Sequence, residues 1–373
     1  MKIACYTDIH NQQIMLNYPT VLRKSAVIAA ENTLKEFGKT DLSIIGGDNV
    51  SDYPHWDRSC ALPYKNWLDI KKKLVDNFAR TAKGEKVLYV NGNNDLMLGD
   101  LPTADNPPYN TCEFYHTGPM KETLGELSES EYYGVYARSK GKQAGLYHLA
   151  FHYVINGIDF FGLNIDPNTA FNTHDGVYNE KALLWLKNKL DEIDPDGSKL
   201  IFVAGHLSYY YRRYGKIENS CKSEEETRAV LSAFSGHKNL FYLYGHVHGQ
   251  TCVYKDSASG IIHIGKDLKP VTDELRPNDN ILEKADFHLV HMGGLRPFQT
   301  AKPFEFFEND GLTGRLPGDT EDKFYESTGN PKIGQYLIIE ADKGFVNFKY
   351  RNTGSLPKYS TEEKPKEYAV RIL

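Results

Sequence analysis

Five short stretches of the chain place metal-ligating side chains at close spacing. They are Asp8-Ile9-His10, Gly47-Asp48, Gly92-Asn93-Asn94-Asp95, Gly205-His206 and Gly245-His246-Val247-His248. Asp8 and His10 stand at i and i+2, so both can point the same way where a strand runs out. His246 and His248 repeat that spacing. Asp48 offers two oxygens that can bridge two ions, and Asn93 offers an amide oxygen. The donors sum to two aspartates, four histidines and one asparagine, too many for one tetrahedral zinc site. The set suits two divalent ions sharing Asp48. Its mixed nitrogen and oxygen donors, with no thiolate, favour Mn, Fe, Zn, Co or Ni over Mg or Ca, with Mn the first choice in vitro. With 13 histidines in 373 residues, a lone His-x-His pair can arise by accident. Five motifs in order, four of them with a glycine just before the ligand, are a different matter.

Each motif follows a short apolar run that reads as a buried strand: 2–6, 42–46, 87–91, 199–205 and 239–245. In open α/β sheets, ligands bind at the carboxyl ends of the strands. Amphipathic helices are expected at 19–37 and 65–82, closed by Gly38 and Gly84, and at 179–192 and 223–234. Strands alternating with helices imply parallel pairing. Antiparallel strands are expected at 147–155 and 158–164, turning at Asn156-Gly157. More follow at 251–255, 261–264, 285–292, 335–341 and 344–350, the last two joined by Asp342-Lys343 as a two-residue turn. Residues 97–145 and 293–334, rich in Gly, Pro and polar residues, read as long loops or insertions.

The net charge of −5 gives no support to general nucleic-acid binding, and no extended nucleic acid is expected as a partner. The five cysteines are scattered, with no CxxC pair, and read as reduced thiols. A charge at Asp8 interrupts the N-terminal apolar run before a signal-peptide core could form. No stretch of about 18 apolar residues occurs, so no membrane association is expected and the location expected is cytoplasmic.

The motifs resemble those of the calcineurin-like metallophosphoesterases: Asp-x-His, Gly-Asp, Gly-Asn-(His)-Asp/Glu, Gly-His and Gly-His-x-His. The likeness runs from residue 1 to about 265. It implies a four-layer α/β/β/α sandwich. It also implies that Asp8, His10 and His248 hold one metal, that Asn93, His206 and His246 hold the other, and that Asp48 bridges. Members often carry His where this chain has Asn94. That His is usually assigned to the transition state or to the leaving-group proton. Asn94 can donate a hydrogen bond but has no titratable proton. Asp95 is expected either to orient Asn94 or a ligand, or to cap a helix. The stretch after His206 holds Tyr210, Arg212 and Arg213. The arginines could grip a phosphate bidentately and the tyrosine could stack on a base or sugar, or the stretch is a solvated loop.

The activity expected is hydrolysis of a small phosphorylated substrate by a hydroxide bridging two ions, tilted toward a phosphodiester or diphosphate. The alternatives are a phosphomonoesterase or a non-catalytic binding scaffold on the same fold. Because ligands from Asp8 to His248 must meet, residues 1–292 are expected to form one catalytic domain, with an insertion at about 97–145. Residues 293–373 are expected to be an extension packed on it.

Overall fold

The computed structural model describes residues 1–9, 24–49, 78–82, 84–96, 119–139, 142–167, 177–207, 211–213, 216–218, 224–246, 262–263, 287–295, 334–342, 344–353 and 367–372. Two large sheets dominate. The first holds β1 (Lys2–Tyr6), β2 (Leu42–Gly46) and β3 (Lys86–Val90), all parallel. It continues on the other side of β1 with β13 (Gln335–Asp342), β14 (Phe345–Asn352) and β15 (Glu367–Arg371), all antiparallel. The order is β15-β14-β13-β1-β2-β3.

The second sheet runs β11 (Ile262–His263), β12 (His288–His291), β10 (Leu240–Tyr244), β7 (Ile201–Ala204), β6 (Ile158–Leu163), β5 (Lys142–Ile155) and β4 (Tyr132–Ser139). Its four central strands β12, β10, β7 and β6 are parallel. A separate ribbon pairs β8 (Tyr211–Arg213) with β9 (Lys216–Glu218).

The strands alternate side chains between two buried faces, so the sheets stack and helices cover the outside. Between the sheets Phe160, Phe202 and Phe241 stack in a row, and Phe241 meets Phe348 of the first sheet. On the outer face of the first sheet Tyr6 stacks with Tyr336 and reaches Thr33 of α1 (Lys24–Phe37). Lys349 and Arg351 lie over the ring of Phe37 at the end of that helix. Two shorter helices, α2 (Asn93–Leu96) and α3 (Pro119–Leu124), follow β3. The outer face of the second sheet is covered by α4 (Glu180–Ile193) and α5 (Glu224–Phe234). Asn179 caps α4 by accepting the Lys181 and Ala182 N–H groups, and Ala182, Leu183, Leu186 and Leu190 form its buried stripe. The result is the α/β/β/α sandwich. No helix among the described residues is long and apolar enough to cross a membrane.

Several expectations change. The stretch 97–145 is not all loop: it contains α3, and β4 pairs with a β5 that starts at Lys142. Register shifts at Tyr133/Gly134 and Ala137/Arg138 break the alternation that would have marked β4 as a strand. Residues 211–213 and 216–218 are paired strands rather than loop. β15 carries no expectation from sequence because it is an edge strand with one buried side chain, Val370. The β13–β14 turn sits one residue later than expected. Asp342 pairs with Phe345, and Gly344 takes the positive φ of 90° that the turn requires. Residues 19–23, 65–77, 251–255 and most of 293–334 lie outside the described residues. Residues 293–295, however, cross from one sheet to the other. Gly294 bridges to Gln335, and the Leu295 N–H donates to Thr7 O.

Candidate metal centre

Asp8, Asp48 and Asn93 follow β1, β2 and β3, and His206 and His246 follow β7 and β10. Because each set of strands is parallel, each set of ligands emerges at one edge of its sheet. The chain breaks out of extended geometry there. Asp8, Asp48 and His246 have φ of 52°, 51° and 72°, a left-handed conformation that costs free energy in residues with a Cβ. Hydrogen bonds hold Asp8 and His246 to it. Asp8 N–H donates to Gly47 O, and the His246 backbone nitrogen lies 3.1 and 3.0 Å from the two oxygens of Asp8. Thr7 Oγ1 is 2.9 Å from Asp8 Oδ2 and 2.9 Å from Gly46 O.

Asp48, His206 and His246 bring one ligand atom each within 4.8 Å of one another. The imidazole rings of His206 and His246 meet edge to face at 5.3 Å. Nδ1 of His246 is 3.0 Å from Asn93 Oδ1, so a carboxylate, two imidazoles and an amide oxygen converge. Close approach explains one of the motif glycines: a Cβ on Gly92 would lie 2.1 Å from Asp48 Oδ1.

His206 is fully buried and its Nδ1 is 2.9 Å from Gly46 O, so that nitrogen is the N–H donor. Its Nε2 has no hydrogen-bond partner among the described residues and lies 3.4 Å from Asp48 Oδ1. Burial pushes the imidazole pKa down. The charge of Asp48, with Asp8 and the Gly46 carbonyl, outweighs this and carries it up to about 9. The site therefore demands positive charge beside two buried carboxylates. A divalent cation on Nε2 meets that demand, and the oxygen and nitrogen donors present fit one.

Asp95 is also buried. It accepts the Gly92 N–H at 2.8 Å, the Asn49 N–H at 3.0 Å and the Asn49 side-chain amide at 3.4 Å. It ties the loop after β2 to α2 and sits inside that short helix rather than at its cap. Asn94 lies on α2, and Arg212 and Arg213 lie on β8. His10, His248 and Tyr210 fall outside the described residues.

Other residues of the site are not singled out by the sequence. Thr7 and Asn49 are polar neighbours of motif aspartates, and that adjacency is the available signal. Tyr178 and Asn164 are far from the motifs along the chain, and nothing local marks them.

The sequence profile of the calcineurin-like phosphoesterase family matches residues 1–250. No curated protein matches the chain. Among solved structures it is similar to a putative 5′-nucleotidase from Staphylococcus aureus crystallised with alpha-ketoglutarate, at 13% identity and a TM-score of 0.40. It is also similar to a 5′-nucleotidase precursor from Thermus thermophilus, at 13% identity and a TM-score of 0.39. Both likenesses cover 100% of this chain, which spans 54% of the length of each nucleotidase. A Vps29 mutant from Entamoeba histolytica is similar over 100% of both chains, at 9% identity and a TM-score of 0.29. These three likenesses are remote. The profile, by contrast, covers more than half of the chain and includes every motif that supplies the centre, and the chain belongs to the calcineurin-like phosphoesterase family.

Proposed function

We propose that the protein is a hydrolase of phosphoesters that works with two divalent metal ions. Asp8, His10 and His248 would hold one ion, Asn93, His206 and His246 the other, and Asp48 would bridge. The observation that carries this reading is the convergence of buried Asp48 and His206 with half-buried His246, with His206 Nε2 left as a ligand. Bound there, the ions would supply water activation and neutralisation of phosphoryl charge.

The protein's own residues prepare the site. Asp8 is oriented by the His246 N–H, and His206 by the Gly46 carbonyl. Asp95 holds the loops of Asp48 and Asn93 together through Asn49 and Gly92. The Asn94 amide is suited to donate a hydrogen bond to a phosphoryl oxygen, but it has no proton to give a leaving group. That favours a diester or diphosphate over a monoester. Arg212 and Arg213 are the candidates to grip a second phosphate and Tyr210 to stack on a base or sugar. The scattered cysteines suit a cytoplasmic setting.

The test is turnover by purified protein with Mn added, on an aryl phosphodiester, a nucleoside diphosphate and an aryl phosphomonoester. The diester or diphosphate is expected to turn over faster than the monoester. Asp48→Ala is expected to lower kcat/KM by about 100-fold or more. Two bound ions with no turnover on any substrate would instead support the scaffold reading.

A further inference from the structure

We propose that Tyr178 and Tyr242 are a positioning pair that sets His206 for its metal ion, a role that rests on the two-ion reading above. Past the end of β7 the N–H groups of His206 and Leu207 leave the ladder of the sheet. The Tyr178 hydroxyl takes both, at 2.9 and 3.0 Å. It lies 2.8 Å from the Tyr242 hydroxyl, which donates to Leu207 O at 2.8 Å. The proton directions follow. Tyr178 accepts two N–H groups and gives its own proton to Tyr242, and Tyr242 gives its proton to the Leu207 carbonyl. Tyr178, Tyr242, His206 and Leu207 are all buried, so water does not compete for these groups. Gly205 makes room for the pair: a Cβ there would lie 2.6 Å from each hydroxyl.

His206 is thus held at three points. Its N–H is on Tyr178, its carbonyl accepts the Gly245 N–H at 3.0 Å, and its Nδ1 is on Gly46 O. What remains is Nε2, aimed at Asp48. Tyr178 is itself fixed by rigid neighbours. It precedes Asn179, the cap of α4, whose side chain donates to Asp166 at 2.7 Å, and Asp166 N–H bonds Val177 O at 2.9 Å. The position of one ligand is therefore set from the end of β6 and the start of α4, far from the motif that supplies it. Groups that orient a ligating imidazole from outside its coordination shell affect metal affinity about 10- to 100-fold.

The experiment is calorimetric titration of Mn²⁺ into the metal-free full chain, together with thermal unfolding of that metal-free chain. It compares wild type, His206→Ala, Tyr178→Phe and Tyr242→Phe. Wild type is expected to bind two ions and His206→Ala to lose one step. Tyr178→Phe is expected to weaken that same step about 10- to 100-fold and leave the other step within about threefold. Tyr242→Phe is expected to weaken the same step by less. A purely structural role would lower the unfolding temperature and leave both affinities alone. That result for Tyr178→Phe overturns the proposal. If Tyr178→Phe does not fold, an unchanged step in Tyr242→Phe overturns it. Failure of wild type to bind Mn²⁺ would overturn the two-ion reading itself.

Discussion

His206 and His288 are both buried imidazoles, yet their surroundings push them in opposite directions. His206 is carried up to about 9 because the charge of Asp48 outweighs burial. His288 stacks on Phe241 at 4.4 Å between the sheets, and burial takes it down to about 4 despite a contact with the Lys238 backbone. In the unfolded chain such a group takes up a proton near pH 6.5, but in the folded chain only near 4. Its contribution to stability is therefore complete above pH 6.5 and is lost as the pH falls toward 4. For the chelated protein, going from pH 7 to pH 5 is expected to cost about 2 kcal/mol through this group alone. Urea unfolding at the two pH values checks it: His288→Phe should lose that much less than wild type. Equal losses would show that the proton goes elsewhere.

Strand ends, more than strands, organise the centre. β3 and β6 belong to different sheets, and Asn91 and Asn164 join them just past their ends. Asn91 N–H donates to Asn164 Oδ1 at 2.8 Å, and Ile165 N–H donates to Asn91 Oδ1 at 3.0 Å. The side-chain amides donate to the Tyr147 hydroxyl and, at 2.8 Å, to the His148 carbonyl. Both asparagines are fully buried, so each bond is made without competition from water. Asn164→Ala would leave the Asn91 N–H buried without its acceptor. It is expected to destabilise the protein by about 2 kcal/mol, read from urea unfolding. Amide exchange at Asn91 should quicken with it, and an unaltered exchange rate would mean that the sheets are joined by other contacts. None of this is legible in the chain, because an asparagine beside a motif has the same appearance whether it faces water or another sheet.

The family profile ends at residue 250, but the sandwich does not. β13 lies beside β1 in the middle of the first sheet, paired from Lys2↔Glu340 to Cys5↔Leu337. Leu337, Ile339, Phe348 and Tyr350 belong to the core between the sheets. The Tyr350 hydroxyl also bonds His291 O, and the crossing at residues 293–295 joins β12 to the same region. A chain cut after residue 295 would expose the edge of β1 and remove those core side chains. Such a chain is expected to lose its cooperative thermal transition and to aggregate on gel filtration, whereas the full chain stays dispersed. A cut chain with an unchanged transition would show that the last three strands are dispensable.

The chemistry of the site is readable along the chain because each ligand sits in a short motif after an apolar run. The buried strands β1, β2, β3, β7 and β10 announce themselves by composition. The weaker elements do not. β4 is interrupted by register shifts, and β15 buries only one side chain, so neither has a clear pattern. What the chain alone determined is which residues could bind metal, their order, and that they end strands. What only the tertiary structure decided is that Asp48 and His246, 198 positions apart along the chain, offer atoms within 4.8 Å of each other. It also decided that the His206 N–H meets Tyr178 and the Asn91 N–H meets Asn164, each from a distant part of the chain. The reason is physical: side-chain type and strand periodicity are local, whereas the approach of two strand ends depends on how two whole sheets pack.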